Sequence, residues 1–302
     1  MLDKIKRRVF RSITTLLKIE ERLDDIKILH GKMIAEMNAA KKSKNIQDYE
    51  FKVFSQWGED GILQKLIECI DIRNKTFIEF GVEDFYESNC RFLLMNNNWS
   101  GFVIDGSASN IDRLRNSYFY WRYPLDSRAS FITRGNINDI LASSRLDHDL
   151  GILSIDIDGV DYFVFEAITD FRPCILILEY NAVFGKDRKI TVPYSDNFQR
   201  TESHYSNLYF GASLAALTHL ANKRGYTLVG TNSTGVNAFF IRNDLMNDSL
   251  LALDAESAFT MLRTRESRDR DGRLTLVGGE DRLSLIKGLP IYNVETNQLE
   301  AL

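Results

Sequence analysis

The segment TLVGTNSTGVNAFFIR (Thr227–Arg242) contains two short runs of strand-forming residues near the end of an alternating pattern. The runs are Thr227–Gly230 and Ala238–Arg242, and about seven residues separate them. A connection of this length is too short for the helical crossover that joins two parallel strands. We therefore predict that these two strands pair antiparallel.

The chain before this hairpin alternates predicted helices and strands, which indicates parallel strands joined by right-handed crossovers. The predicted strands are Lys75–Gly81, Gly101–Asp105, Ser130–Thr133, Leu150–Ile157 and Cys174–Tyr180. The predicted helices are Gln56–Asp71, Asn89–Asn97, Ile111–Ser117, Tyr162–Thr169 and Ala212–Arg224, with another after the hairpin at Ala252–Arg263. The result is an α/β fold whose parallel sheet ends in an antiparallel hairpin. The dinucleotide-binding Rossmann sheet, by contrast, has a parallel sixth strand.

The composition limits the classes of function. The 302 residues are 44% hydrophobic and 26% charged, with a net charge of −4, which argues against general nucleic-acid binding. The three cysteines, Cys69, Cys90 and Cys174, lack CxxC spacing, so a disulfide scaffold and a cysteine zinc site are both disfavoured. We find no run of about 18 apolar residues and no signal-peptide core. The sequence predicts a cytoplasmic protein, at most peripheral to the inner face of the membrane.

Residues 1–45 form a predicted N-terminal helix with apolar residues at heptad spacing. One heptad row is Val9, Leu16, Leu23, His30 and Met37, and the row three positions on is Ser12, Ile19, Ile26, Met33 and Ala40. This pattern is typical of a coiled coil that makes a homo-oligomer. The alternative is a helix packed on its own domain. We further predict a domain over residues 50–249 and a C-terminal extension or cap over residues 250–302.

The first turns of this helix are basic and amphipathic. They combine Lys4, Lys6, Arg7, Arg8 and Arg11 with Ile5, Val9 and Phe10. Such a segment can rest on an anionic membrane surface, and a solvated charged face is the alternative interpretation.

Ligands of open α/β sheets lie at the carboxyl ends of the strands. The first strand ends in Glu79-Phe80-Gly81, with one glycine where a diphosphate site needs a glycine-rich loop. S-adenosylmethionine (SAM) has no phosphate and suits this segment better. At the second strand end, Asp105 is placed to accept the two ribose hydroxyls, and Asn136 follows the third strand near the expected adenine. The cofactor-binding candidates are Glu79, Gly81, Glu83, Ser88, Asn89, Asp105, Gly106, Ser107, Asn136 and Asp156.

Carboxylates are concentrated after the fourth predicted strand, in Asp156-Ile157-Asp158-Gly159-Val160-Asp161. We expect Asp158 to converge with Glu179 and Asn181 from the fifth strand end and to hold Mg²⁺ or another divalent cation. Such a cation would activate a hydroxyl for attack, with Asp158 as a catalytic residue. Helix capping and solvated carboxylates are the alternative. His204 is the histidine proposed as a general base, and the alternative is a surface histidine.

Several motifs together resemble those of FkbM-like SAM-dependent methyltransferases. They are SQWGEDGIL (55–63), FIEFGVEDFYESNC (77–90), NNNWSGFVIDGS (96–107), LSIDIDGVDY (153–162), ILEYNAVFG (177–185) and HYSNLYFGASLAAL (204–217). The resemblance covers roughly residues 50–245. It implies a class I methyltransferase fold and methyl transfer from SAM to a hydroxyl, commonly of a sugar. Many members are encoded with bacterial surface-polysaccharide enzymes.

Residue by residue, Glu79 and Gly81 match the acidic-glycine motif of this family and Asp105 its ribose-binding acid. Asp156 and Asp158 match a K-I-D-x-E-G stretch in which Ser154 replaces the lysine and Asp158 the glutamate. Any role of that lysine is therefore not carried over. The carboxylates of the fourth and fifth strands also resemble the metal ligands of catechol and macrolide-sugar O-methyltransferases.

Two other functions compete with O-methylation. Asp156-Ile157-Asp158 is a D-x-D motif, which holds a metal and a nucleotide-sugar diphosphate in glycosyltransferases. The other reading is a non-enzymatic coiled-coil scaffold with a degenerate nucleotide-binding domain. The acceptor stays open, because the region around 182–210 carries no transferable substrate motif.

Overall fold

The computed structural model describes residues 2–302, with side chains from residue 18 onward. The strands are β1 (Thr76–Phe80), β2 (Ser100–Asp105), β3 (Leu125–Ala129), β4 (Ile152–Ile155), β5 (Ile175–Glu179), β6 (Ile190–Thr191), β7 (Tyr226–Thr231), β8 (Asn237–Arg242), β9 (Pro290–Asn293) and β10 (Gln298–Ala301). The helices are α1 (Leu2–Ala39), α2 (Glu59–Cys69), α3 (Arg91–Asn97), α4 (Ala108–Arg115), α5 (Ile137–Ser143), α6 (Asp161–Ala167), α7 (Arg200–Ser203), α8 (Leu214–Lys223), α9 (Ala255–Ala258) and α10 (Asp281–Ile286).

Seven strands form one sheet in the order β3-β2-β1-β4-β5-β8-β7. Strands β1 to β5 pair in parallel. Strand β8 runs antiparallel to both β5 and β7. The short β6 belongs to a second, three-stranded sheet with β9 and β10. This strand order and its antiparallel edge are those of class I methyltransferases, which confirms the predicted fold class.

The central strands are buried on both faces, so they read as nearly continuous apolar runs. Leu176 and Leu178 of β5 enter one hydrophobic layer. Ile175 and Ile177 of the same strand enter the layer on the opposite face. This alternation packs helices against both faces and leaves the carboxyl ends of β1, β2, β4 and β5 at one shared edge.

The predicted third strand, Ser130–Thr133, is wrong, since β3 is Leu125–Ala129. This strand lies at the sheet edge and carries the exposed Asp126 and Arg128. Because these residues are charged, a search for apolar runs does not identify the strand. The more apolar residues after it lie in a loop, where Ile132 is buried and Phe131 is half-exposed.

The predicted helix Ala252–Arg263 is also wrong, because α9 ends at Ala258. Beyond it the backbone is held by tertiary hydrogen bonds. The Tyr180 hydroxyl donates to the Thr260 carbonyl (2.8 Å), and the Arg263 amide donates to the Thr234 carbonyl (2.9 Å). These contacts override the local helical propensity.

The predicted N-terminal helix is present as α1. From residue 18 onward its buried residues are Asp24, Gly31 and Asn38, and the partly buried Ile28 and Ala35 pack against the core beside them. A Cβ on Gly31 would lie 2.5 Å from Val53 Cγ2, which shows how closely the helix approaches. The coiled coil stays a prediction. Its residues Val9, Ser12 and Leu16, and the basic segment 4–11, lie outside the described side chains. Among the described residues, no helix is long and apolar enough to cross a membrane.

Candidate active site

Three adjoining cavities open along the carboxyl edge of the sheet, with volumes of about 170, 320 and 350 Å³. Glu83, Asp156 and Asp158 line all three. The two larger cavities lie in the size range of small-molecule sites. The carboxyl edge of the sheet, where the sequence predicts ligand binding, therefore contains polar cavities.

Gly81 is required where β1 meets the backbone after β4. Its φ is +71°, and a Cβ there would lie 1.6 Å from the Asp156 carbonyl oxygen. The glycine lets the chain turn while two strand ends stay in contact, and it keeps the cavity floor open.

Glu79 is buried at the end of β1 and is surrounded by donors from the following loop. Ser88 Oγ donates to its Oε2 (2.6 Å), and the amides of Asn89 and Cys90 donate at 2.8 and 3.1 Å. Burial raises the pKa of Glu79, and these hydrogen bonds oppose the increase. Glu79 thus fixes the loop that lines the smallest cavity, to which Ser88 and Asn89 also contribute. Asn89 Nδ2 further donates to Ser154 Oγ (3.1 Å).

Asp105 is buried at the end of β2 and accepts three internal hydrogen bonds. Its Oδ2 accepts from the Glu83 amide (2.8 Å), and its Oδ1 accepts from the Ser107 amide (2.8 Å) and Asn110 Nδ2 (3.0 Å). A carboxylate has about four acceptor positions. One position remains, on Oδ2, so this geometry leaves room for one ribose hydroxyl rather than two.

The 320 Å³ cavity beside Asp105 is mixed in character. Gly106, Asn110, Phe131, Ile132 and Val160 line it. Ser107 instead caps α4, since its Oγ accepts the Asn110 amide (3.3 Å). Asn136 holds the turn after β3, accepting the Thr133 amide (2.8 Å) and donating to the Phe131 carbonyl (2.8 Å). It is not among the residues that line this cavity.

The three acids after β4 have different environments. Asp161 is fully buried and accepts the amides of Ile157 (2.8 Å) and Gly159 (3.0 Å), which shapes the turn. Burial raises its pKa to about 6. Asp158, at φ +52°, lies on the exposed side of that turn. Asp156 is half-buried and lies between the cavities.

Asp156, Asp158 and Glu179 form an acidic cluster, each offering an oxygen within 4.8 Å of the others. Burial, followed by the charge of Asp158, raises the pKa of Asp156 well above its usual value. Burial, followed by the charge of Asp156, raises the pKa of Glu179 in the same way. Glu179 Oε2 is buried and has no hydrogen-bond partner among the described residues. The cluster therefore combines three carboxylates with one paired arginine, Arg200 on Asp158, and this excess of oxygen donors favours a cation.

Asn181, the other expected metal ligand, is buried and uses its side chain to hold loops. Its Nδ2 donates to the carbonyls of Leu208 and Phe210 (both 2.9 Å), and its Oδ1 accepts the Val183 amide (3.0 Å). Asp156 is the third carboxylate of the cluster, and Asn181 as a metal ligand stays a prediction.

Arg200 is the residue of this site that the sequence analysis missed. It forms an ion pair with Asp158, donates from Nε to the Asn207 carbonyl (2.7 Å) and stacks on the Phe210 ring (3.9 Å). It lines the 350 Å³ cavity together with Trp57, whose Nε1 is buried without a partner among the described residues. Trp57 belongs to the SQWGED motif, so the sequence carries a signal for this residue. Arg200 lies in a segment that carries no such motif.

His204 is half-buried and bonds to Ser206 Oγ (2.8 Å) through Nδ1. Burial, and then the charge of Arg270, lowers its pKa. Asn207 lines the 350 Å³ cavity, and His204 does not. The structure thus does not bring His204 into the lining with the acidic cluster.

Comparisons with known proteins gave weak structural matches. A CurJ carbon methyltransferase aligns at 10% identity and a TM-score of 0.41, covering 65% of this chain and 57% of that one. A putative O-methyltransferase from Klebsiella pneumoniae aligns at 13% identity and 0.37, covering 73% and 90%. The O-methyltransferase from Bacillus cereus, solved in complex with SAH, aligns at 14% and 0.38, covering 70% and 88%.

The chain spans only about half the length of the first solved structures it resembles, 57% and 51%. No protein-family model matches the sequence. No curated protein matches it either. The methyltransferase fold therefore rests on the strand order described above.

Proposed function

We propose that this chain is a SAM-dependent O-methyltransferase that acts on a hydroxyl of a sugar or glycan precursor, with a divalent cation at Asp156, Asp158 and Glu179. The observation that carries the proposal is the pair of cavities that meet at Asp156 and Asp158. One cavity lies beside Asp105, and the other contains the acidic cluster. A cofactor bound in the first cavity and an acceptor bound in the second would meet beside Asp156 and Asp158.

The cavity beside Asp105 suits SAM. Its lining offers one open acceptor position on Asp105 and apolar contacts from Phe131, Ile132 and Val160. An adenosine needs this combination of a ribose acceptor and apolar walls. SAM supplies an electrophilic methyl group, and the acidic residues Glu83 and Asp156 give its cationic sulfonium and ammonium a favourable environment.

The neighbouring 350 Å³ cavity suits a polyhydroxylated acceptor. Gln56, Arg200, Thr201 and Asn207 supply hydrogen-bonding groups around the acidic cluster. A divalent cation held by the cluster would lower the pKa of an acceptor hydroxyl. Arg200 and Trp57 would then orient the acceptor against Asp156.

SAM binding is the first test. Wild-type protein should bind SAM or S-adenosylhomocysteine in calorimetry, and Asp105→Ala should weaken binding at least ~10-fold, since hydrogen bonds to a charged acceptor contribute about 1.5–3 kcal/mol. Asp112→Ala, an exposed carboxylate on α4, is the matched control and should bind normally. If folded wild-type protein binds neither compound, the methyltransferase proposal fails.

Cation binding is tested without any acceptor. We expect Mn²⁺ titrated into metal-free protein to bind with one site per chain in calorimetry. Glu179→Gln and Asp158→Asn should each weaken Mn²⁺ at least ~10-fold. Glu179→Gln should change SAM affinity little, because Glu179 lines the 350 Å³ cavity and not the cavity beside Asp105. Glu202→Gln removes an exposed carboxylate nearby and serves as the control. Unchanged Mn²⁺ affinity in both cluster variants would remove the cation from the proposal.

A thermal-shift experiment distinguishes the glycosyltransferase alternative. SAM should raise the melting temperature, whereas UDP- and GDP-sugars with Mn²⁺ should not. The reverse result would favour Asp156 and Asp158 as a D-x-D motif.

A further inference from the structure

Helix α1 carries an exposed apolar stripe, made of Ile19, Leu23, Ile26, Met33 and Met37. The exposed fractions are 46% for Ile19, 50% for Leu23, 49% for Ile26, 60% for Met33 and 72% for Met37. With His30 included, the positions follow the alternating steps of four and three residues that characterise a coiled-coil seam. Leu29 (61%) and Ile34 (39%) widen this α1 stripe on either side.

The α1 stripe and the docked face of the helix point in different directions. Within residues 18–39, the fully buried positions of α1 are Asp24, Gly31 and Asn38. At 100° per residue, their mean direction is roughly 120° around the helix from that of the stripe. Within residues 18–302, nothing covers the stripe, so packing on the domain leaves the heptad seam free.

We propose that the α1 stripe is the interface with a second copy of this chain, and that the two helices run antiparallel. A two-fold axis near residue 28 brings every stripe position opposite another. The resulting layers are Ile19 with the partner's Met37, Leu23 with the partner's Met33, and Ile26 with the partner's His30.

The stripe has the area that a stable dimer needs. Its seven exposed apolar side chains offer on the order of 100 Å² each, a value that corresponds to 1.5–3 kcal/mol at about 25 cal/mol per Å². The total is roughly 700 Å² per copy, close to the ~800 Å² per partner of standard interfaces. Because each domain docks on a face roughly 120° away from the stripe, both remain outside the helix pair.

Charges beside the stripe favour the antiparallel orientation. With the axis near residue 28, Arg22 faces the partner's Glu36, and symmetry forms this pair twice. This register also sets Lys27 opposite the partner's Lys27 once, at the axis, where each lysine pairs with Asp24 of its own helix (3.5 Å). In a parallel pair, Arg22 would face the partner's Lys27 twice, and His30 would face its own copy in the seam. Flanking charges of this kind determine the orientation of coiled coils.

A parallel pair would gain little electrostatic attraction to offset the repulsion between Arg22 and Lys27. Its favourable contact would join Glu36 to the partner's Lys41, which follows the end of α1. Lys41 Nζ already donates to the Asp48 carbonyl (2.5 Å).

Light scattering on the full chain tests the interface. Wild-type protein should have twice the chain mass of 34.7 kDa. Ile26→Glu and Met33→Glu should each raise the dimer dissociation constant at least ~100-fold, since a charge buried in the seam costs several kcal/mol. Lys32→Gln changes the charge equally on an exposed position outside the stripe and should stay dimeric. A monomeric wild type, or glutamate variants that stay dimeric, would overturn the proposal.

Charge reversal tests the orientation. Arg22→Glu should weaken the dimer about 10-fold, and adding Glu36→Arg should restore it. In a parallel pair, Arg22→Glu would strengthen association, because glutamate would then face Lys27.

Cross-linking gives an independent reading of the orientation. With a short bismaleimide, Leu29→Cys should form dimers beyond the wild-type background of Cys69, Cys90 and Cys174, because residue 29 lies beside the axis. Leu23→Cys should not, since its two copies lie about 15 Å apart along the helices. The opposite pattern contradicts the antiparallel arrangement.

Discussion

Gly81→Ala is expected to destabilise the folded chain by about 4 kcal/mol and to abolish SAM binding. The alanine Cβ would lie 1.6 Å from the Asp156 carbonyl oxygen, an atom of backbone rather than of a flexible side chain. Relief requires β1 and β4 to separate, and these strands are paired up to Phe80 and Ile155. Overpacking of this kind costs about 1–3 kcal/mol, and an alanine at φ +71° adds about 1–2 kcal/mol.

Gly225→Ala separates the two contributions. Gly225 has a φ of +82°, and an added Cβ would meet no described atom within 4 Å. This control should therefore cost about 1–2 kcal/mol from backbone strain alone and bind SAM normally. Urea unfolding gives the free energies, and calorimetry gives the affinities. Equal losses in the two variants would show that the approach to Asp156 is unimportant.

The sheet was predictable because its information is local. Apolar runs such as Ile175–Glu179 identify buried strands, and the short link between Thr231 and Asn237 determines the antiparallel edge. Strand β3 was placed wrongly, since an edge strand with Asp126 and Arg128 is defined by its pairing with β2 rather than by its own pattern.

The site was predictable at strand ends and unpredictable between them. Asp105, Asp158 and Glu179 follow strands, so parallel pairing alone brings them to one edge. The side chain of Asn181 is engaged by loop carbonyls 27 and 29 residues away, a contact that its position after β5 does not predict. Arg200 reaches Asp158 across 42 residues of sequence, a contact that no spacing reveals.

The heptad pattern of α1 indicated an apolar seam but did not show which face docks on the domain. The docked face combines Ile28 and Ala35, which pack against the core, with buried polar residues, among them the ion pair of Asp24 with Arg91 on α3. The carboxylate Oδ2 lies 2.6 Å from Arg91 Nη2, and both side chains are buried. Tyr118 also donates its hydroxyl to this oxygen (2.5 Å). A pattern search for apolar residues overlooks such a contact.

Asp24→Ala is expected to destabilise the chain by about 3–5 kcal/mol in urea unfolding. Arg91 is 1% exposed and lies over the rings of Phe54 (4.1 Å) and Phe119 (4.3 Å), so water cannot replace the lost carboxylate. Removing one partner of a buried ion pair leaves an uncompensated charge, which accounts for the size of the effect. Asp25→Ala, at the exposed neighbouring position, should change stability by less than about 0.5 kcal/mol.

The double variant Asp24→Leu/Arg91→Met shows whether the destabilisation by Asp24→Ala comes from the uncompensated charge of Arg91 or from the lost shape of the contact. With both charges gone and apolar volume in their place, the desolvation cost disappears as well, so stability should return to within about 1 kcal/mol of wild type. The contact also includes hydrogen bonds, from the Tyr118 hydroxyl to Asp24 and from Arg91 Nη1 to the Tyr86 carbonyl (2.9 Å). If these hydrogen bonds and the shape of the contact hold α1 instead, the double variant will be as unstable as Asp24→Ala. The recovery is therefore the measurement that assigns the docking of α1 to charge compensation.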